Sequence, residues 1–275
     1  MSPPRKKKRI ASVASYYSQV KKLMREALAG VPQEMTIGKL RNALRQLPSP
    51  AKVEKRLKAI WISQIEEERI LNQHKGVTSF DLASIRPKLR DELDNRILYS
   101  LSLIKLNRET SVETVVRRFD GWISSLSAVE PVRERQTANL DEVARNITKP
   151  LKQLPFEERR VAIDQSHKLV ANLNQIVAYD EGAIGAIWHS HWREINYDYR
   201  VKHKHLDQKF YLIRNSQAMR DGLVKKAGHE YIEDLEDQPA ELPFCRCYFQ
   251  YIYTLKKVPE ECLTEKGKEI IRGLR

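Results

Sequence analysis

A chain of 275 residues, 41% of them hydrophobic, can bury one large core or two modest ones without disulfide staples. Its 49 Lys and Arg against 36 Asp and Glu leave a formal charge of +13, which favours a polyanionic partner such as nucleic acid and says nothing of fold. Three cysteines, an odd number, argue against a disulfide framework and for a reducing compartment, and no apolar run approaches the roughly 20 residues that span a bilayer, so a soluble protein with no membrane partner is expected.

The chain opens on a basic run, Arg5, Lys6, Lys7, Lys8 and Arg9, with no acid near. Residues 1–9 read as a disordered tail whose cations would contact double-stranded DNA through its phosphates, without reading sequence. Ile10, Val13, Tyr16, Tyr17, Val20, Leu23, Met24, Ala27 and Leu28 then recur at three- and four-residue spacing, and Gly30 supplies a stop, which predicts an amphipathic helix. Thr36 can cap a short helix ending before Pro48. Ser49 as N-cap and Pro50 in the first turn open a helix expected to reach about Asn72. Another helix begins at Pro87 and carries Leu89, Leu93, Ile97, Leu101 and Ile104 on one face. Thr110 and Glu113 form a capping-box pattern, so a new helix with Val116, Phe119 and Trp122 is predicted from there.

Residues 10–128 thus read as a helical domain. Residues 129–155 scatter Pro131, Pro150 and Pro155 among charges and read as a linker. A helix is expected from about Phe156 to Val177. From Ala183 onward aromatic and β-branched residues thicken, and "KFYLI" and "CYFQYIYTL" read as strands. The expected fold is therefore α-rich and mixed: a helical N-terminal half, a smaller α+β domain over residues 156–258, and a charged C-terminal tail over residues 259–275.

Several side-chain groupings bear on chemistry. His189 and His191 lie between Trp188 and Trp192 and lack the four-residue spacing that puts two histidines on one helical face, so they read as packing and hydrogen-bonding residues. His203 and His205 are one residue apart, as are Cys245 and Cys247. Zinc prefers thiolate and neutral imidazole, and these four are its candidate ligands. Zinc knuckles, however, place two or more residues between their cysteines, and a Cys-x-Cys pair on a strand also shares a face as packed small groups. Packing without a cofactor is the expected use, and zinc the alternative. No phosphate-cradling loop and no Gly-x-Ser-x-Gly elbow occurs, the acids from Glu233 to Asp237 read as a solvated loop, and Cys262 is isolated, so no enzymatic activity is expected.

A tryptophan is followed by Arg200, His203, Leu206, Asp207, Lys209 and Phe210 in the pattern R-x-x-H-x-x-L-D-x-K-F, then by a proline-containing variable stretch and by Cys245, Arg246 and Cys247. This order resembles the C-terminal domain of the phage Mu F-like head morphogenesis proteins. Gln208 stands where that family usually has glycine, and Asn196 and Asp198 replace the acidic and basic residues common before the arginine, as in a divergent member. The resemblance implies a minor capsid protein of a tailed bacteriophage, made in the host cytoplasm and held inside the virion near the portal vertex. Its implied partners are the portal protein, the inner capsid surface and packaged DNA, and its implied roles are head morphogenesis, genome packaging and genome ejection. It also implies that Arg200, His203, Asp207 and Lys209 hold a turn and strand start beside the Cys-Arg-Cys segment, where strand alternation turns Arg246 away from both cysteines, free to pair with Asp207 or another acid. The competing reading, from the residues alone, is a zinc-stabilised or metal-dependent nucleic-acid-binding protein or nuclease using His203, His205, Cys245 and Cys247.

Overall fold

A computed structural model of the chain describes residues 13–45, 51–67, 69–129, 133 and 138–273, so the basic run at residues 5–9 and the Ser49-Pro50 start lie outside the described residues. The architecture is α-rich and mixed, with a helical N-terminal half and a small four-stranded sheet flanked by helices in the C-terminal part. Among the described residues no helix is long and apolar enough to cross a membrane.

Helices α1 (Val13–Leu28) and α2 (Gln33–Leu44) form where the apolar periodicity places them. Thr36 does not cap α2: it lies buried inside the helix and its hydroxyl donates to the Gln33 carbonyl at 2.8 Å. Helix α3 (Ala51–Trp61) passes into a π-helical turn at Ile62–Glu66 and a 3-10 turn at Arg69–Gln73, not into an unbroken helix to Asn72. Pairing decides this, because strand β1 (His74–Lys75) must be extended to run parallel to strand β4 (Tyr248–Ile252), with His74 opposite Tyr251.

Helix α4 (Arg86–Ser124) is a single element of 39 residues, which corrects the expected restart at Thr110. The capping box there has no chain end to cap. The Thr110 hydroxyl donates back to the Leu106 carbonyl at 3.0 Å, and Glu113 meets Arg41 at 2.9 Å. Helix α5 (Leu140–Asp180) runs for 41 residues through Pro150 and Pro155, so helix occupies residues 140–155 where a linker was expected.

The chain divides into two compact units, one of Met1–Ala51 with Leu101–Val161 and one of Lys52–Ser100 with Ala162–Arg275. The chain passes between them after Ala51, Ser100 and Val161, at the start of α3 and within α4 and α5. In the first unit Tyr16, Val20, Leu23 and Met24 of α1, Leu40 and Leu44 of α2, Val115, Val116 and Phe119 of α4, and Ala144, Ile147, Leu151 and Leu154 of α5 form one core. Burial of Leu151 and Leu154 beside the prolines shows how this helix survives them: the apolar face continues at helical spacing. Proline at position 150 also frees the carbonyl of Asn146 from its helical donor, and the Arg118 guanidinium fills the gap by donating to that oxygen at 2.6 Å.

In the second unit the sheet has the order β1-β4-β2-β3, with β2 (Gly185–His189) antiparallel to both β4 and β3 (Phe210–Leu212). Alternation sends Ala186, Trp188, Tyr211, Phe249 and Tyr251 to one face and Ile184, Phe210, Leu212 and Ile252 to the other. Gly185 is required by space, since a Cβ there would sit 2.3 Å from the Tyr211 carbonyl oxygen. Helices α6 (Val201–Leu206) and α7 (Gln217–Arg220) fill the connections. Where a charged tail was expected, a 3-10 turn at Glu260–Cys262 leads into helix α8 (Glu265–Gly273), with Cys262 and Leu263 in the core. Thr264 starts α8, accepting from the Gly267 amide at 3.1 Å and donating to the Gly222 carbonyl at 2.7 Å. Burial pushes the Cys262 thiol up to about 11, which leaves it an inert packing group.

His74 is nearly fully buried and stacks on Tyr251 with ring centroids 5.2 Å apart. Its Nε2 faces Asn174 Oδ1 at 3.0 Å and its Nδ1 faces the Tyr253 hydroxyl at 2.7 Å. The Asn174 amide donates to the Val170 carbonyl, so Oδ1 is left to accept from Nε2; burial disfavours the charged ring, and the neutral imidazole accepts from the Tyr253 hydroxyl at Nδ1.

Two outcomes are expected. Pro150→Ala should stabilise the protein by on the order of 1–3 kcal/mol by restoring the missing donor. Arg118→Ala should cost about 0.5–1 kcal/mol in the native background and nearly nothing beside Pro150→Ala, where residue 150 takes over Asn146. A thermal or urea double-mutant cycle that finds equal costs in both backgrounds would refute the account. The second concerns pH. Burial lowers the His74 pKa to about 4, whereas the unfolded imidazole titrates near ~6.5, so between these values the unfolded chain binds more protons. Stability from this site is complete above pH ~6.5 and is lost as pH falls toward the folded value, by about 3 kcal/mol in total. The stability gap between native protein and His74→Gln, read by urea unfolding, should therefore shrink from pH 7 to pH 5; a constant gap would contradict it.

Candidate functional site

The C-terminal end of β2 and the start of α6 are fastened by one carboxylate. Asp207, just past α6, accepts from the Ser190 amide at 2.7 Å and from the Trp192 indole at 3.0 Å. Burial pushes the Asp207 carboxyl up, but these hydrogen bonds and one from Gln208 outweigh it and hold the group below the usual carboxylate range. The following turn docks on β2 through its backbone: Gln208 donates to the Trp188 carbonyl at 2.8 Å, and Trp188 donates to the Lys209 carbonyl at 2.9 Å. Gln208 adopts φ 64°, the left-handed region that favours glycine. Its amide offsets part of that strain by reaching His189 Nδ1 at 3.1 Å.

Arg200 precedes α6 and donates to the Pro243 carbonyl at 2.9 Å, tying the helix start to the loop that carries the cysteines. Within α6 His203 points inward and is 1% exposed, while His205 is exposed, as two residues about 200° apart on a helix must be. Leu206 packs on the Trp188 face of the sheet and Phe210 on the opposite face. Lys209 is exposed and contributes through its backbone. The motif therefore holds a short helix, a turn and a strand start, and the helix is the part that spacing alone left out.

Cys245 and Cys247 precede β4 and are not part of it; both are buried and reduced. The Nδ1 atom of His203 lies 3.5 Å from each sulfur. Among the described residues His203 is the hydrogen-bond partner of both sulfurs, and the Ser190 hydroxyl is buried without one. The hydrogen bond from Cys247 lowers the Cys245 thiol and the same contact raises that of Cys247, so the pair readily gives up one proton and holds the second. The loop bringing them together is strained: Ala240 and Phe244 have φ 64° and φ 60°. Asp164 of α5 pins it, accepting from the Phe244 amide at 2.7 Å. Among the described residues His203, Cys245 and Cys247 are the group whose ligand atoms, all within 4.8 Å of one another, could hold a metal ion; His205 is not part of it.

Arg246 points away from the cysteines, as alternation requires, and its partner is Glu194 at 3.0 Å, not Asp207. Its guanidinium lies 5.1 Å over the Tyr197 ring and its amide donates to the Tyr197 hydroxyl at 3.1 Å. His191 meets the same Glu194 at 2.7 Å, and His189 stacks on Tyr248 at 4.9 Å. An open pocket of about 320 Å³ lies here, lined by His167, His191, Glu194, Arg246, Cys247 and Tyr248 among others. The acids from Glu233 to Asp237 are engaged with cations or backbone: Glu233 with the Arg214 amide, Asp234 with the Arg214 guanidinium, and Glu236 and Asp237 with Lys202. Asp164, Ser190 and Tyr197, which sequence reasoning missed, act through backbone contacts that leave no spacing signature.

No model of a known protein family, no curated protein and no solved structure matches the chain.

If the turn after α6 is strained as described, Gln208→Gly should leave Tm unchanged or raise it, because the left-handed penalty of about 1 kcal/mol is removed while the His189 contact is lost. Gln208→Val should lower Tm, since a β-branched residue fits that region worst. Differential scanning calorimetry in which valine is tolerated as well as glycine would contradict the conformation.

Proposed function

We propose that this chain is a minor head protein of a tailed bacteriophage, of the Mu F-like head morphogenesis kind, which docks at the portal vertex and inner capsid surface and contacts packaged DNA without chemistry of its own. The observation that supports the reading most is at Gln208. The family places glycine there, and the backbone of this chain takes the left-handed conformation that glycine serves, inside a motif whose distant halves meet through His203 and Cys245-Arg246-Cys247. A backbone that favours glycine at residue 208 is what supports the resemblance at that position.

Docking has a candidate surface in the exposed apolar residues Leu103 and Leu106 of α4, which stand at helical spacing in the first unit. The net charge of +13 and the run from Arg5 to Arg9 supply non-specific attraction to duplex DNA. A nuclease reading has less support, because the acids from Glu233 to Asp237 are committed to Lys202, Arg214 and backbone, not open to a catalytic ion.

The full chain carrying Leu103→Glu and Leu106→Glu should keep its Tm and fail to enter the phage particle, measured by the protein composition of purified particles. Replacing the five cations at residues 5–9 by alanine should weaken duplex binding and flatten its salt dependence. Normal incorporation of the double variant, or DNA cleavage by the purified native chain, would overturn the proposal.

A further inference from the structure

The pairing of a buried imidazole with two buried thiols is poorly explained by packing. A packed Cys-x-Cys pair needs no donors at its sulfurs and no polar ring aimed between them. Here one ring nitrogen, His203 Nδ1, faces both sulfurs at 3.5 Å. We propose that His203 Nδ1, Cys245 Sγ and Cys247 Sγ bind one zinc ion.

The two edges between His203 and the sulfurs fit as they stand. With Zn–S of about 2.3 Å and Zn–N of about 2.05 Å, the S···N edge of a tetrahedron is about 3.5 Å. Both S···N distances have that length. The chemistry fits equally. Two thiolates cancel the charge of Zn²⁺, so the complex is neutral and tolerable in the buried position these residues occupy. Binding displaces one proton from each thiol, and the imidazole contributes the Nδ1 lone pair with its proton on Nε2. That Nε2 is buried without a hydrogen-bond partner, and the carboxylate of Asp237 stands 3.9 Å away on the same side. A carboxylate behind a ligating histidine is the usual orienting group of zinc sites. The fourth corner is left to water or an incoming group, and Cys247 lines the open pocket beside the cluster. Backbone strain at Ala240 and Phe244 is the expected companion of a loop shaped around a ligand. The metal would join α6 to the loop before β4, two segments about 40 residues apart in the chain.

The test begins with the native full chain, purified under reducing conditions without chelator, whose metal content is read by inductively coupled plasma mass spectrometry. About one equivalent of zinc per chain is expected. After chelation, Co²⁺ should restore a spectrum with intense tetrahedral d–d bands and a thiolate-to-metal charge-transfer band. His203→Ala, Cys245→Ser and Cys247→Ser should each lose that spectrum, whereas His205→Ala, an exposed position, should keep it. Native protein without zinc that takes up no Co²⁺, or that carries a Cys245–Cys247 disulfide when isolated, would overturn the proposal, and neither result depends on a variant folding. Failure here would leave particle incorporation, and the role proposed above, independently testable.

Discussion

The Asp207 carboxylate is the contact on which the second unit's functional geometry depends. It accepts from the Ser190 amide and the Trp192 indole, so the chain leaving β2 and the chain leaving α6 are held at one point. Fixing those two ends holds the chain at Ser190 and Trp192, and it orients α6 so that His203 faces inward. The same clamp sets up the turn at Gln208, whose amide must meet the Trp188 carbonyl. Because β2 is paired on both edges, by β3 and β4, this anchor sits on the part of the sheet least able to shift.

What the sequence made legible follows from the range of the interactions involved. Helices α1 and α4 were visible because their buried residues recur locally at helical spacing. The capping box at Thr110 misled because Thr-x-x-Glu specifies a helix start only where the chain actually ends, and here Thr110 has an i−4 carbonyl to bond. Prolines 150 and 155 suggested a linker for a similar reason. Their local cost is real, but Leu151 and Leu154 complete a core made with α1, α2 and α4, and Arg118 covers the carbonyl that Pro150 abandons. Neither compensation can be read within a window around the prolines. The same holds for β1, whose pairing with Tyr251 and Ile252 spans most of the chain, and for the 259–275 segment, where Thr264 and Gly267 fit against Gly222 and Leu223.

The candidate site was legible as a list of residues and not as an arrangement. Spacing grouped His203 with His205 and treated the four residues as equivalent ligands. The helical turn separates the two histidines, so that one is buried between thiols and the other meets solvent. Arg246 was correctly turned away from the cysteines by alternation, yet its partner could not be foreseen, because Glu194 lies in an irregular loop positioned by the Asp207 clamp.

The chemistry of the cluster and the electrostatics of the whole chain are separable, and that separation bears on function. The excess positive charge is a long-range property that gathers a polyanion without shaping a pocket for it. The His203, Cys245 and Cys247 group is buried, and its occupied form would be neutral, so it neither adds to nor draws on that field. A catalytic metal centre on DNA would reverse these conditions, with an exposed, acid-rich and charged site set where the phosphates approach. The acids that might have supplied it, from Glu233 to Asp237, instead bind Arg214 and Lys202, and Lys202 belongs to the helix that carries His203. The buried cluster and the acidic loop therefore act on the same element from two sides, one gripping α6 through its inward imidazole and the other through its outward lysine, which is the arrangement expected of a device for holding shape.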